Sequence, residues 1–182
     1  MGSEPFKTAR EQGRLAPLKF EHAVLRTGQL QPMVDWYTAV LQAEVSFGNA
    51  AIVFLSYDEQ NHRIAILAIP GTVPRPPNSA GLDHLAFTYA DMGELVTTYE
   101  RLKAQGVIPH RAMNHGSSTS MYYRDPDGNQ IELKIDNFAT MQEQRAWLRT
   151  KEFAENPLGT QFDPDQLAAV GVGRMRDERS AS

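Results

Sequence analysis

Cysteine is absent from the 182 residues. No disulfide, thiolate metal site or cysteine nucleophile can be built, and any metal must be held by nitrogen and oxygen donors. Excess positive charge is absent too: 18 Lys and Arg stand against 22 Asp and Glu, a formal net charge of −4. Without a basic field, nucleic acid and anionic membranes are not expected partners. Long apolar runs are also lacking. The longest, Ile64 to Pro70, falls far short of the ~20 residues that cross a bilayer. Met1 to Leu15 is polar, without the apolar core of a secretory signal, so a cytoplasmic location is expected. What remains is ordinary: 41% hydrophobic and 22% charged residues, the balance of a globular domain. Disordered, collagenous and coiled-coil chains are excluded.

Hydrophobic periodicity divides the chain into alternating strands and helices. Phe20 to Thr27 predicts a strand, and Pro32 opens a helix whose apolar face is Met33, Trp36, Tyr37, Val40 and Leu41. Three strands follow, Ala43 to Phe47, Ala51 to Tyr57 and His62 to Ile69, separated by turns at Gly48-Asn49 and Asp58 to Asn61. After a proline-rich linker the pattern restarts. Leu82 to Tyr89 is a strand, and Asp91 caps a helix bearing Met92, Leu95, Tyr99 and Leu102. Strands at Ile108 to Ala112, Thr119 to Arg124 and Gln130 to Ile135 complete the set, with Asp125 to Asn129 turning between the last two. Phe138 to Phe153 predicts one helix, and Asn156 to Val170 a turn-rich stretch with a short helical piece.

The restart is a repeat. His22 and His84 are separated by 84 − 22 = 62 residues, and Tyr37/Tyr99, Val40/Leu102 and Val45/Val107 share that offset. A common offset for strand, helix and following strand predicts a duplicated βαβββ unit. The expected fold class is α+β: paired βαβββ repeats forming a cupped mixed sheet around a metal site, with a helical C-terminal extension. The expected divisions are a flexible N-terminal arm at 1–17 and a domain at 18–137, followed by the extension at 138–182. The domain comprises repeat one at 18–70, a linker at 71–81 and repeat two at 82–137. Trp147, Leu148 and Phe153 lack an obvious partner in the repeats, so a homodimer with isologous contacts is expected.

Face-to-face packing of the repeats would set the two first strands side by side, His22 beside His84, with Glu132 two strands away. Taken singly, a strand histidine reads as a packed or surface residue. Glu132, alternating with Gln130 and Lys134, reads as one residue of a solvent-facing strand. Taken together, two imidazoles and one carboxylate form the facial triad of non-haem Fe(II), which leaves neighbouring positions open for substrate and O2. Mn(II) takes the same ligands.

The segment Tyr122 to Leu133, YYRDPDGNQIEL, with the strands Phe20 to Thr27 and Leu82 to Thr88, resembles the vicinal-oxygen-chelate (glyoxalase/bleomycin-resistance/dioxygenase) superfamily. Within it, the chain is similar to type I extradiol ring-cleaving dioxygenases reduced to a single pair of modules. The resemblance runs from about residue 18 to 137. It implies His22, His84 and Glu132 as metal ligands, Tyr122 as a hydrogen-bond donor to a substrate oxygen and His62 as acid–base near O2. It also implies His115 as a hydrogen-bonding partner of substrate and oxygen. The implied substrates are a catechol-type aromatic diol and O2, both atoms of which enter the product as the ring opens beside the diol.

Other members of the superfamily remain in view. A glyoxalase or isomerase uses a fourth ligand, a carboxylate ending the first repeat. Here Pro70 stands 62 residues before Glu132, and no Asp or Glu occurs from Gln60 to Leu82. A fosfomycin-type transferase keeps the triad but wants a cationic cluster, for which Arg111, Arg124 and Lys134 are the candidates. A metal-free binding protein has no use for aligned ligands.

Overall fold

A computed structural model describes residues 7–73, 75–76 and 78–168. They divide between residues 74 and 75 into two compact units. The first contains β1 (Ala23–Thr27), α1 (Leu30–Leu41), β2 (Glu44–Gly48), β3 (Ile52–Ser56) and β4 (Ile64–Ala68). Its sheet runs β1-β4-β3-β2, with β1 parallel to β4 and the other pairs antiparallel. Met33, Val34, Tyr37 and Val40 recur at helical spacing on the buried side of α1. The helix packs on β3 and β4, where Val53, Leu55, Ile64 and Ile66 are buried. Pro32 is the third residue of α1; it is tolerated there because amide groups in the first turn have no intrahelical acceptor.

The second unit contains β5 (His84–Thr88), α2 (Met92–Ala104), β6 (Arg111–Asn114), β7 (Ser118–Arg124) and β8 (Gln130–Asp136). After these come α3 (Met141–Trp147), α4 (Lys151–Glu155) and β9 (Thr160–Gln161). Its sheet order is β5-β8-β7-β6-β9. Asp91 caps α2 by accepting from the Glu94 amide at 3.0 Å. Leu95, Tyr99 and Leu102 lie on the buried face of the helix, which packs on β8, the strand of buried Ile131, Leu133 and Ile135. Apart from β9 the two sheets have one topology: the first strand lies parallel to the last, followed by the third and the second. This is the duplicated βαβββ unit in mixed sheets.

Several details differ from expectation. The strands form two sheets, so β1 and β5 are not hydrogen-bonded neighbours. Glu132 is one strand from His84, not two, because β8 pairs directly with β5, aligning Ala86 with Glu132. The last strand of each repeat returns to satisfy the inner edge of its own first strand. β1 begins at Ala23 because the Phe20 and Glu21 carbonyls accept from the Arg63 guanidinium, each at 3.1 Å. Arg63 also grips Asp58 at 2.9 Å. His62 consequently sits in the turn before β4 and does not open the strand. β6 starts three residues late, since Pro109 offers no amide to a ladder.

The single helix expected over 138–153 is two short ones. Thr140 opens α3 with a capping box to Glu143. Thr150 then accepts from the Phe153 amide at 3.2 Å while its hydroxyl donates to the Trp147 carbonyl at 2.8 Å, ending one helix and starting the next. Trp147 is partnered inside its unit, by Phe138 with ring centroids 6.0 Å apart and by Gly116. Residues 164–168 are helical. The first six residues of the arm and residues 169–182 of the extension lie outside the described residues. Among those described, no helix is long and apolar enough to cross a membrane.

Candidate metal and catalytic site

The turn motif Asp125 to Asn129 builds the centre of the second unit. Asp125 is buried, and its carboxylate accepts from the Asp127 amide at 3.0 Å and from the Asn129 amide and side chain at 2.8 Å. Gly128 supplies the φ of +82° that the turn needs. This brace sets β7 against β8 in the register that pairs Tyr122 with Glu132. The Tyr122 hydroxyl donates to Glu132 Oε1 at 3.1 Å. Its oxygen then accepts from His115 Nε2 at 2.9 Å, so His115, Tyr122 and Glu132 form a directed chain. Burial, and then the Glu132 charge, push the Tyr122 phenol up to about 12. It stays protonated and serves as a donor. The Arg111 guanidinium lies 4.2 Å over the Tyr122 ring and opposes the shift.

His84 completes this half. Its Nδ1 lies 2.6 Å from Asp83 Oδ2 and its Nε2 3.1 Å from Glu132 Oε2. When Nδ1–H donates to Asp83, Nε2 of a neutral ring turns a lone pair toward Glu132. Two acceptors then face each other at 3.1 Å, an arrangement that needs a proton or a cation between them. Adjacent donors at about 2.1 Å from one octahedral ion are roughly 3.0 Å apart, so the spacing suits a divalent metal. Glu132 is only 6% exposed, and among the described residues no Lys or Arg pairs with it. A carboxylate buried without a counter-charge is costly, and a metal would supply that charge. The donor set fits.

The first unit assembles the other two histidines. His22, exposed just before β1, and His62 have ring centroids 4.4 Å apart. Phe54 stacks on His62 at 4.3 Å and 13°, and Phe47 lies 5.6 Å beyond Phe54. His62 Nδ1 is buried with no partner among the described residues. Desolvation, then the nearby His22, hold its pKa below the usual histidine range, so it is neutral and able to take a proton.

Six residues were marked from sequence, and the structure brings them together as two groups: His84, Glu132, Tyr122 and His115 in one unit, His22 and His62 in the other. Among the described residues no group of three His, Asp or Glu side chains is close enough to hold one ion. Sequence reasoning missed Asp83 on His84, Phe54 on His62 and Arg111 on Tyr122. Asp83 carried a signal, since an acidic residue precedes the histidine in both repeats, Glu21-His22 and Asp83-His84. Phe54 and Arg111 carried none, because cross-strand register alone decides what they touch.

Residues 19–133 match the family model described as glyoxalase/bleomycin resistance protein/dioxygenase superfamily. Two curated relatives come from Rhodococcus globerulus. Biphenyl-2,3-diol 1,2-dioxygenase 2 is 44% identical over 80% of this chain and 77% of its own length. Biphenyl-2,3-diol 1,2-dioxygenase 3 is 43% identical over 82% and 80%. Among solved structures, a glyoxalase/dioxygenase from Nostoc punctiforme superposes with a TM-score of 0.57 at 19% identity, covering 68% of this chain and 97% of that one. Duplicated βαβββ units, the turn motif and a match spanning both repeats lead to one conclusion: this chain belongs to the glyoxalase/bleomycin resistance protein/dioxygenase superfamily.

Proposed function

We propose that the protein is an extradiol dioxygenase that cleaves a catechol-type aromatic diol with O2, using Fe(II) held by His22, His84 and Glu132. The observation that carries the metal is the 3.1 Å approach of His84 Nε2 to the buried Glu132 Oε2, with Asp83 fixing the far side of the ring. The two relatives support the reaction. A 2,3-diol opened between C1 and C2 is cut beside the hydroxyl-bearing carbons, not between them.

When bound, an ion with two imidazole ligands and one carboxylate offers adjacent open positions to the diol and O2. Tyr122, protonated and directed by His115, donates to a substrate oxygen as charge develops on it. His62, neutral and with a buried nitrogen that has no partner among the described residues, accepts a proton released by the diol. Phe54 and Phe47 line the same histidine with aromatic surface suited to a flat ring. A homodimer is part of the proposal, and light scattering at micromolar concentration checks it.

The decisive experiment loads the protein anaerobically with Fe(II) and then admits O2 and a panel of aromatic diols. One O2 consumed per diol, with a yellow ring-opened product, is expected. Iron-loaded protein that consumes no O2 with any diol overturns the reading.

A further inference from the structure

We infer that the C-terminal extension is a clamp on the turn that carries His115, with Gly159 and Trp147 as its positioning residues. The inference rests on the proposed dioxygenase reading, in which the His115–Tyr122 contact directs the phenol. Turns between strands are ordinarily the mobile part of a sheet. The one from Asn114 to Ser118 is held from several sides by residues of its own unit.

From within, the His115 amide donates to the Ser118 carbonyl at 2.9 Å and the Gly116 amide to Asn114 Oδ1 at 2.8 Å. From β8's end, Asn137 Nδ2 donates to the Gly116 carbonyl at 3.0 Å. The extension closes the remaining sides. Trp147 lies so close to Gly116 that a Cβ there would stand 2.5 Å from the indole. Gly159, at φ +77°, lies so close that its Cβ would stand 2.1 Å from the Asn114 carbonyl oxygen and 2.7 Å from His115 Cα. Immediately after Gly159, β9 pairs Thr160 with Asn114 and Gln161 with Met113. Asp165 then anchors the segment, accepting from the Tyr99 hydroxyl at 2.6 Å and from Lys103.

The clamp decides whether His115 Nε2 reaches the Tyr122 hydroxyl. A side chain on Gly159 must displace the Asn114–His115 backbone by about 1 Å, a misplacement that can cost up to about 10² in rate. Trp147→Phe keeps an aromatic wall and removes a buried indole N–H that has no hydrogen-bond partner among the described residues. It should behave as the parent does, whereas Trp147→Ala should loosen the turn.

The test is a double-mutant cycle on iron-loaded protein. Gly159→Ala should lower kcat roughly tenfold to hundredfold, with iron content and the KM for the diol little changed. In a His115→Gln background the same substitution should cost less than about twofold, because its route of action is gone. Equal losses in both backgrounds would make Gly159 merely structural and overturn the clamp. Asp165→Asn, remote from the site, is the second variant should Gly159→Ala fail to fold; a smaller kcat loss, again erased by His115→Gln, is expected. Nitrogen NMR of the His115 ring in metal-free protein gives an activity-independent reading. A single tautomer in the parent and averaged signals in Gly159→Ala or Asp165→Asn support the clamp, and unchanged signals in both overturn it. A parent that lacks dioxygenase activity but shows this NMR difference would refute the catalytic reading and leave the clamp standing.

Discussion

The two units share a topology and differ in what they present. The first offers carbon: His62 between His22 and Phe54, Phe47 beyond, and an orphaned ring nitrogen. The second offers charge and directed hydrogen bonds: Asp83, His84, Glu132, Tyr122 and His115. The edges differ as well. β2 is exposed along its whole length, whereas β6, its counterpart, is covered by β9. A matching histidine stands at or just before each first strand, and its surroundings differ between the units. The first unit presents an aromatic, weakly polar surface around His62. The second buries a carboxylate and carries an extension that closes on the turn of His115.

The largest effect is expected where the charged half is neutralised. Glu132→Gln should lower metal affinity beyond the roughly 10–100-fold that loss of an outer partner costs, measured by calorimetry. With Nδ1–H of His84 donating to Asp83, it should also raise the melting temperature of metal-free protein, since the amide can donate to His84 Nε2. Unchanged metal binding would break the comparison, because the second unit would then have no metal role.

Next comes the aromatic half. His62→Phe preserves the stack on Phe54 and removes the proton acceptor, so kcat should fall about 10²–10⁴ while anaerobic diol binding persists. Parent-like turnover would reduce the first unit to a wall. Tyr122→Phe deletes one hydroxyl from the charged half, and about 10²–10³ in kcat should be lost with iron retained.

The smallest effect is on stability against pH. Folding holds the His62 pKa below its ordinary value of 6.5, so protonation favours the unfolded chain. Its contribution is full above the unfolded value and lost as pH falls through the folded one. His62→Phe should therefore lose less thermal stability than the parent when pH is lowered from 7 to 5. His110, also lowered by burial, is common to both proteins and cancels. Identical acid profiles would show that His62 is not held neutral by folding.

Much was legible without coordinates, for identifiable reasons. The 62-residue offset could be read because a duplicated unit keeps its apolar period and its turn residues. The Asp125 to Asn129 turn could be read because few residues brace so tight a reversal, while the pairing of Tyr122 with Glu132 came only with the strand register. Strand ends at Phe20 and His62 were misplaced because one side chain, Arg63, takes the carbonyls and the carboxylate that the local pattern assigned elsewhere. The break between α3 and α4 turned on a single threonine that both caps and terminates.

By itself the sequence determined the donor types and the duplicated architecture, and it marked the residues proposed to hold a metal or move a proton. Local periodicity, turn chemistry and a missing thiol are properties of short stretches of chain. Only the tertiary structure decided that Asp83 orients His84, that Phe54 covers His62, that Arg111 lies over Tyr122, and that Gly159 and Trp147 close on the turn of His115. Apart from Asp83 and His84, which are neighbours in sequence, those contacts join different strands and segments, through strand register and close backbone approach. Neither is encoded in any single segment, because register and approach depend on how several segments pack at once.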